Sequence, residues 1–170
     1  MPEYPNPAFS NRLPDDEFWA AKQVMNFTDE EIRAIVRTGQ LSDPEAENWI
    51  VKCLIQRRDK IGRAFFRKVL PLDRFEVNGD RLVFEDLEVK HRLVASRNYT
   101  IQWSHFYNET EQKTLLAAES SFVLPTELQE AAPDEFFAAD IHSEDPKKKV
   151  TGYLRKRPDR IEVVGVERFW

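Results

Sequence analysis

The sequence has one cysteine, five glycines and no long apolar segment, and each shortage excludes a class of protein. The single Cys53 cannot form an internal disulfide or a cysteine-based zinc site, which excludes disulfide-stapled scaffolds. Five glycines in 170 residues argue against low-complexity sequence. No apolar run approaches the roughly 18 residues that span a bilayer, and the first seven residues lack the charged and apolar regions of a signal peptide. We therefore expect a soluble chain with no membrane span, while its compartment stays open.

The sequence also lacks the motifs of familiar active sites. It contains no G-x-S-x-G elbow, no H-E-x-x-H, no Walker loop and no G-x-G-x-x-G. The three histidines, His91, His105 and His142, have no partner of ligand type at helical or strand spacing, so the sequence predicts no metal site and no cofactor. Acidic residues surround one of them, His142: Asp140, Glu144 and Asp145. An enzyme centred on His142 is one of three hypotheses for function.

Charge is distributed unevenly along the chain. Residues 1–70 hold 11 acidic and 11 basic side chains, so residues 71–170 carry the whole net charge of −5. Nucleic-acid binding draws mainly on a basic surface that releases counterions from phosphates. The charge balance therefore predicts no nucleic-acid partner.

What the sequence does contain is a change of periodicity near Leu70 and Pro71. Before this point apolar residues recur at helical spacing, and after it they alternate as in strands. A hydrophobic fraction of 41%, with 12 Phe and 4 Trp, supplies enough apolar surface for a core. We predict an α+β fold with two domains: residues 1–70 form an extended arm and a three-helix subdomain, and residues 71–170 form a mostly antiparallel β-sandwich of six to eight short strands.

In the helical part, four prolines among the first 14 residues predict an extended arm, and ordered structure is expected from Asp15. A first helix should end near Asn26. Capping boxes at Thr28–Glu31 and Ser42–Glu45 predict the starts of two more helices, and Ile32, Ile35 and Val36 should form one apolar face. The buried stripe predicted for the third helix consists of Trp49, Ile50, Cys53, Leu54, Ile61 and Phe65.

The other face of this third helix is rich in cations: Arg57, Arg58, Lys60, Arg63, Arg67 and Lys68. Asp59 is the only acid among them. One interpretation is a patch for phosphate or an acidic partner; the other is a solvated face whose cations lie near the negative end of the helix dipole. The absence of a glycine-rich phosphate loop favours the solvated face.

In the strand part, Asn78-Gly79 predicts a β-hairpin whose two turn positions need positive φ. The apolar phase slips at Glu85-Asp86, which predicts a bulge or a strand break. The last strand is expected either to be buried on both faces or to slip in phase at Gly165. Residues 99–108 alternate as a strand with Trp103 as the central core residue. Further strands are predicted at residues 115–117, 121–124, 135–141, 150–155 and 161–166.

Aromatic side chains suggest a binding function for the strand part. Four of them are candidates for ligand stacking: Trp103, Phe106, Tyr107 and Trp170. A carbohydrate- or ligand-binding sandwich would need at least two of these rings exposed and coplanar. The terminal pair, Phe169 and Trp170, can alternatively act as a strap over an open sheet edge, and this is the favoured interpretation.

Five stretches together carry a family resemblance: Phe18–Met25, Phe27–Val36, Leu54–Arg63, Pro71–Phe75 and Val163–Arg168. They resemble the C-terminal region of large uncharacterised bacterial proteins that look distantly like atypical kinases upstream of it. The resemblance implies that the helices are the tail of a kinase-like C-lobe and that the β part is an appended domain. The chain itself has no H-R-D or D-F-G motif, so no catalytic residue is carried over. A signal peptide upstream would imply the cell envelope.

The leading hypothesis from these observations is a non-catalytic accessory or interaction module, the C-terminal part of a larger bacterial protein. Its partner would be an upstream domain of the same polypeptide or another protein. A helical part that once lay against another domain should expose apolar side chains.

Overall fold

The structure, a computed structural model, describes residues 6–117, 120–145 and 147–170. The helices described are α1 Pro7–Ser10, α2 Pro14–Met25, α3 Asp29–Arg37, α4 Pro44–Phe66, α5 Leu87–Lys90 and α6 Thr126–Gln129. The strands described are β1 Leu72–Asn78, β2 Arg81–Asp86, β3 Thr100–Tyr107, β4 Gln112–Leu115, β5 Phe136–His142, β6 Lys149–Lys156 and β7 Ile161–Phe169. The predicted α+β class is confirmed, because three main helices precede seven strands whose pairs are antiparallel.

The chain divides into two compact units. The helical unit contains the residues up to Lys68 together with Glu88–Val94, and the β unit contains Val69–Leu87 and Ala95–Trp170. The sequence pattern did not predict that Glu88–Val94, which follows the first hairpin in the sequence, would belong to the helical unit. Leu87 and Val89 alternate like strand residues, yet β2 stops at Asp86 and α5 follows it as a single helical turn. The strand break expected at Glu85-Asp86 is thus present, and what comes after it is helical.

The helical unit is organised around α4, its longest helix at 23 residues. Both α2 and α3 pack against α4. The rings of Phe18 and Phe66 lie 5.7 Å apart, and both side chains are buried. Gly62 lies against Met25, since a Cβ placed there would be 2.6 Å from the Met25 sulfur. In the described part of the chain, no helix is both long enough and apolar enough to cross a bilayer.

Helix starts follow the sequence signals closely but not everywhere. The Thr28–Glu31 capping box is confirmed, with the Glu31 amide donating to Thr28 Oγ1 at 3.1 Å and the Thr28 amide donating to Glu31 Oε2 at 2.8 Å. The box predicted to start at Ser42 is wrong by one residue, because Asp43 caps α4 by accepting from the Glu45 amide. The extended arm is wrong for Pro7–Ser10, which forms α1, and residues 1–5 lie outside the described residues.

The predicted buried stripe of α4 is rotated away from the observed one. Val51, Gly62 and Phe66 are the buried positions, whereas Trp49 is 67% exposed and Leu54 is also exposed. In α3, Ile32 is buried as predicted, but Ile35 faces solvent. The helical unit therefore exposes several large apolar side chains: Leu13, Trp19, Phe27, Ile35, Leu41, Trp49 and Leu54.

The β unit contains a two-stranded sheet, β1-β2, and a five-stranded sheet in the order β4-β3-β5-β6-β7. Residues of both sheets contribute to one hydrophobic core. Its fully buried members are Leu70, Leu72, Leu82, Ile101, Trp103, Leu124, Leu128, Phe137, Ala139, Ile141, Val150 and Leu154. Since one face of the five-stranded sheet supplies most of these residues, its other face is left to form a separate surface.

One turn and one predicted strand of the β unit differ from the sequence-based expectation. The hairpin between β1 and β2 is confirmed, but Asn78 ends β1 opposite Arg81, so the turn residues are Gly79 and Asp80. Of the two, Gly79 has a positive φ of 62°. In β7 the register shifts beside Gly165, where the sequence predicts a slip. The strand predicted at residues 121–124 is wrong, as only an isolated bridge joins Val123 to Arg81.

Candidate ligand-binding site

Strand alternation in β3 separates the two faces of the five-stranded sheet. Ile101 and Trp103 point into the core, so Ser104 and Phe106 lie on the opposite face, which we call the outer face. Strand register extends this face across the sheet, because directly paired residues point the same way. Its other members are Lys113 and Leu115 of β4, Phe136, Ala138 and Asp140 of β5, Thr151, Tyr153 and Arg155 of β6, and Gly165, Glu167 and Phe169 of β7.

A cavity of about 510 Å³ opens on the outer face. Its lining residues come from five strands and from the turn after β3: Phe106, Asn108, Glu111, Lys113, Phe136, Tyr153, Val164, Gly165, Glu167 and Phe169. Four of these are aromatic, and three others carry side-chain oxygen acceptors. The cavity thus combines ring surfaces with hydrogen-bond acceptors, as small-molecule sites do.

The aromatic floor of the cavity is centred on Phe106 and Tyr153. Their ring centroids are 4.8 Å apart with a tilt of 53°. On β7, Gly165 lies directly opposite Tyr153, and the tyrosine ring lies against the strand there without meeting a side chain. Lys113 Nζ lies 5.5 Å from the centre of the Tyr153 ring. The ring is thereby held between a neighbouring ring, a cation and a glycine backbone.

A charge network beside the floor is centred on Asp140. Lys113 Nζ lies 2.8 Å from Asp140 Oδ1, which also accepts from the Thr151 hydroxyl, and Lys149 Nζ lies 3.6 Å from Oδ2. Lys113 belongs to β4 and reaches Asp140 two strands away. The intervening outer-face residues, Ser104 and Ala138, are small and buried, which leaves room for the lysine stem.

The network determines the ionisation of Asp140. Burial opposes the charged form, but the hydrogen bonds from Lys113 and Thr151 and the charge of Lys149 outweigh it, so the pKa of Asp140 is lowered. The carboxylate is therefore charged at neutral pH, and it forms an ion pair with Lys113.

The pKa of Tyr153 is shifted upward, in contrast to that of Asp140. Burial and a 2.7 Å hydrogen bond to Glu167 Oε2 raise the pKa of Tyr153, and the charges of Glu167, Asp140 and Glu111 raise it further. The phenol thus remains protonated and donates to Glu167. Two of these carboxylates, Glu111 and Glu167, line the cavity and can accept hydrogen bonds from a ligand.

The structure separates the four rings predicted for ligand stacking. Trp103 is 2% exposed and its indole N–H donates to the Ser121 carbonyl at 2.9 Å, so it belongs to the core. Phe106 lies in the outer-face cavity. Tyr107 is 47% exposed and its ring lies tilted by 50° beside that of His105, with centroids 4.6 Å apart. Trp170 is 51% exposed beyond the end of β7. Of the predicted set, only Phe106 lines the cavity on the outer face.

Two of the three acidic neighbours of His142 have other partners. Asp140 is held by Lys113 and Thr151, and Asp145 lies 3.5 Å from Lys148 Nζ. Among the residues that the structure describes, no group of three His, Cys, Asp or Glu side chains could hold a metal ion. His91 belongs to the helical unit, where its ring lies 6.3 Å from that of Phe66. The enzyme hypothesis gains no support from this geometry.

No family model, curated protein or solved structure matches the chain. The resemblance to the C-terminal region of kinase-like bacterial proteins therefore stays a prediction from the five stretches that carry it. The features that bear on function are therefore the outer face of the five-stranded sheet and the exposed surface of the helical unit.

Sequence reasoning assigned Lys113, Tyr153 and Glu167 to no site, and it grouped Asp140 with His142 rather than with Lys113. The sequence did contain a signal for Tyr153. In the strand predicted at residues 150–155, Val150 and Leu154 share one face, and strand alternation places Tyr153 on the opposite face. The pairing order of the strands, which places β5 between β3 and β6, has no such local signal.

The Asp140 network predicts a specific acid response. Because the pKa of Asp140 is lowered in the folded state, its contribution to stability is complete above the unfolded-state value of about 3.9 and is lost as the pH falls through the lowered native value. An Asp140→Asn variant should lose less stability than the wild type below about pH 4. Urea unfolding followed by circular dichroism from neutral to acidic pH measures the difference.

A second variant checks that the network is responsible. Thr151→Val removes one hydrogen bond to Asp140, so the native pKa of Asp140 should be lowered less and the acid-induced loss of stability should be smaller than in the wild type. Identical pH profiles for the wild type and Asp140→Asn would contradict the assignment.

Proposed function

We propose that the chain is a non-catalytic binding module whose outer-face cavity holds a neutral, polyhydroxylated ligand such as a carbohydrate. One observation carries the proposal: the paired rings of Phe106 and Tyr153 lie in one cavity with the acceptors of Glu111, Glu167 and Asn108. Sugar rings present C–H faces that pack on aromatic rings and hydroxyl groups that donate to carboxylates and amides.

The charges in the cavity favour a neutral ligand over an anion. Lys113 is the cation that lines the cavity, and it is already paired with Asp140 at 2.8 Å. Glu111 and Glu167 remain on the lining, both exposed, and would repel an anionic group. A hydroxyl-rich ligand instead satisfies these acceptors without introducing charge.

The ionisation of the site supports binding without catalysis. A general acid or base works best when its pKa lies near the operating pH. Here the pKa of Asp140 is lowered and that of Tyr153 is raised, so both groups move away from neutrality. Neither is prepared to exchange a proton with a bound substrate.

Titration of the full chain with a panel of neutral oligosaccharides, followed by two-dimensional NMR, tests the proposal. We expect at least one oligosaccharide to shift the amide signals of β3, β6 and β7. Replacing Phe106 with Ala removes half of the aromatic floor, and we expect affinity for that oligosaccharide to fall roughly 30-fold, as for a central aromatic contact. Isothermal titration calorimetry measures the change.

Tyr107→Ala is the matched control for this experiment. Tyr107 is the next residue along β3 and points to the other face, where its ring contacts that of His105. Its replacement should leave oligosaccharide affinity within about twofold. Equal affinities for Phe106→Ala and the wild type, or amide shifts confined to residues away from β3, β6 and β7, would reject the outer-face cavity as the binding site.

A further inference from the structure

The exposed side of α4 carries a continuous row of long side chains. Their spacing of three or four residues places them on one helix face. The row, which we call the α4 stripe, consists of Trp49, Lys52, Gln56, Lys60, Arg63 and Arg67, all of them exposed. From Trp49 to Arg67 it runs along about 27 Å of helix.

Three of the four cations of the α4 stripe differ from other cations of the helical unit in their ion pairing. Lys68 lies 2.5 Å from Glu17, and Arg58 lies 2.8 Å from both Asp29 and Asp59. In contrast, three cations of the stripe have no carboxylate partner among the described residues: Lys52, Lys60 and Arg63. The flanking Arg57 has none there either.

Local sequence explains the lack of partners. Between Asn48 and Leu72 the chain contains one acid, Asp59, and Arg58 holds it through two nitrogens at 2.8 and 3.0 Å. The positive charge of the stripe is therefore not balanced on α4 itself. The helix dipole stabilises cations only within the last turn of a helix. Lys52 and Lys60 lie before the last turn of α4, so the dipole does not account for them.

Trp49 adds an apolar group to the cationic row. It is 67% exposed, the largest exposure among the large apolar side chains described. Tryptophan and arginine are enriched at protein interfaces, and tryptophan is typical of the few residues that dominate binding energy. An exposed Trp in line with unpaired cations is thus the composition of a docking face.

We propose that the α4 stripe docks an acidic protein surface, with its cations opposite the partner's carboxylates and Trp49 seated in an apolar site. Charge complementarity defines the partner. A membrane surface fits less well, because helices that lie on bilayers bury a broad apolar face and this row has a single apolar ring. Duplex DNA fits less well because its outer surface of phosphates and sugars offers no apolar site for Trp49.

Defined polyanions can test the docking face with the full chain. The probes are poly-L-glutamate, a random copolymer of glutamate and tyrosine, vesicles of phosphatidylcholine with phosphatidylserine, and duplex DNA, all at the same low salt. We expect the copolymer to bind more tightly than poly-L-glutamate, because tyrosine offers apolar surface to Trp49. A Trp49→Ala variant should lose this preference for the copolymer.

Charge-neutralised variants locate the binding on α4. Replacing Lys52, Lys60 and Arg63 together with Gln should weaken copolymer binding roughly tenfold. Gln has nearly the helix propensity of Lys and Arg, so the fold should be retained, as circular dichroism can verify. The matched control makes the same charge change in the β unit: Arg74→Gln, Arg81→Gln and Arg160→Gln. It should bind the copolymer within about twofold of the wild type.

Three results would overturn the proposal. The first is equal copolymer binding by the wild type and the triple α4 variant. The second is equal preference for the copolymer in Trp49→Ala and the wild type. The third is tighter binding to vesicles or to duplex DNA than to either polypeptide, which would assign the stripe to a membrane or to nucleic acid instead.

Discussion

Replacing Trp103 with Ala is expected to lower the free energy of unfolding of the β unit by about 3–5 kcal/mol, the range for a buried tryptophan. Trp103 is 2% exposed in the centre of the core, so its removal leaves a cavity that the flanking strands cannot fill. It also leaves the Ser121 carbonyl without the indole donor at 2.9 Å. Chemical unfolding followed by far-ultraviolet circular dichroism measures the loss.

Trp170→Ala removes the same side chain from an exposed site and is the control for Trp103→Ala. Trp170 is 51% exposed, so its loss should change stability by no more than about 1 kcal/mol. Tryptophan fluorescence distinguishes the two variants further, since removal of a buried indole should shift the emission of the folded protein to longer wavelength. A cost below about 1 kcal/mol for Trp103→Ala would show that this residue is not the centre of the core.

The fold class was predictable because local signals and the observed elements agree. The Thr28–Glu31 capping box starts α3, and both of its reciprocal hydrogen bonds are present. The Asn78-Gly79 pair marks the first hairpin, although the turn lies one residue further along. Signals of this kind depend on neighbours in sequence, so the sequence contains all the information needed to find them.

The buried face of α4 was not predictable from periodicity alone. The helix carries adjacent apolar residues on different faces, such as Ile50 with Val51 and Phe65 with Phe66. A helical repeat then fits more than one stripe, and the packing of α2 and α3 selects the one that contains Val51, Gly62 and Phe66. Glycine has no apolar side chain, so the hydrophobic pattern of the sequence could not predict that Gly62 is buried.

The outer-face cavity was beyond sequence reasoning for a different reason. Lys113, Asp140, Tyr153 and Glu167 come from four strands, and they meet because β5 inserts between β3 and β6. Alternation along each strand could place a residue on one face or the other. Alternation cannot give the pairing order or the register between strands that are far apart in sequence.

Gly62→Leu should produce the second large effect, a loss of about 3 kcal/mol in the stability of the helical unit. A first carbon at this position would lie 2.6 Å from the Met25 sulfur and 3.2 Å from Leu93 Cδ1, and leucine adds three more carbons. Because Met25 is itself buried, it has little room to move. The higher helix propensity of leucine, worth under about 1 kcal/mol, does not offset the overlap. Thermal and urea unfolding at the helical circular dichroism band measure the loss.

A second-site variant determines whether overlap with Met25 is the cause. Met25→Ala in the Gly62→Leu background removes the sulfur and opens space for the new side chain, so the double variant should be more stable than Gly62→Leu alone. Ala64→Leu, two residues along α4 at an exposed position, should remain within about 0.5 kcal/mol of the wild type. If Gly62→Leu and Ala64→Leu had the same stability, α2 could not lie against α4 at Gly62. If Met25→Ala failed to recover stability, Leu93 rather than Met25 would be the obstructing neighbour.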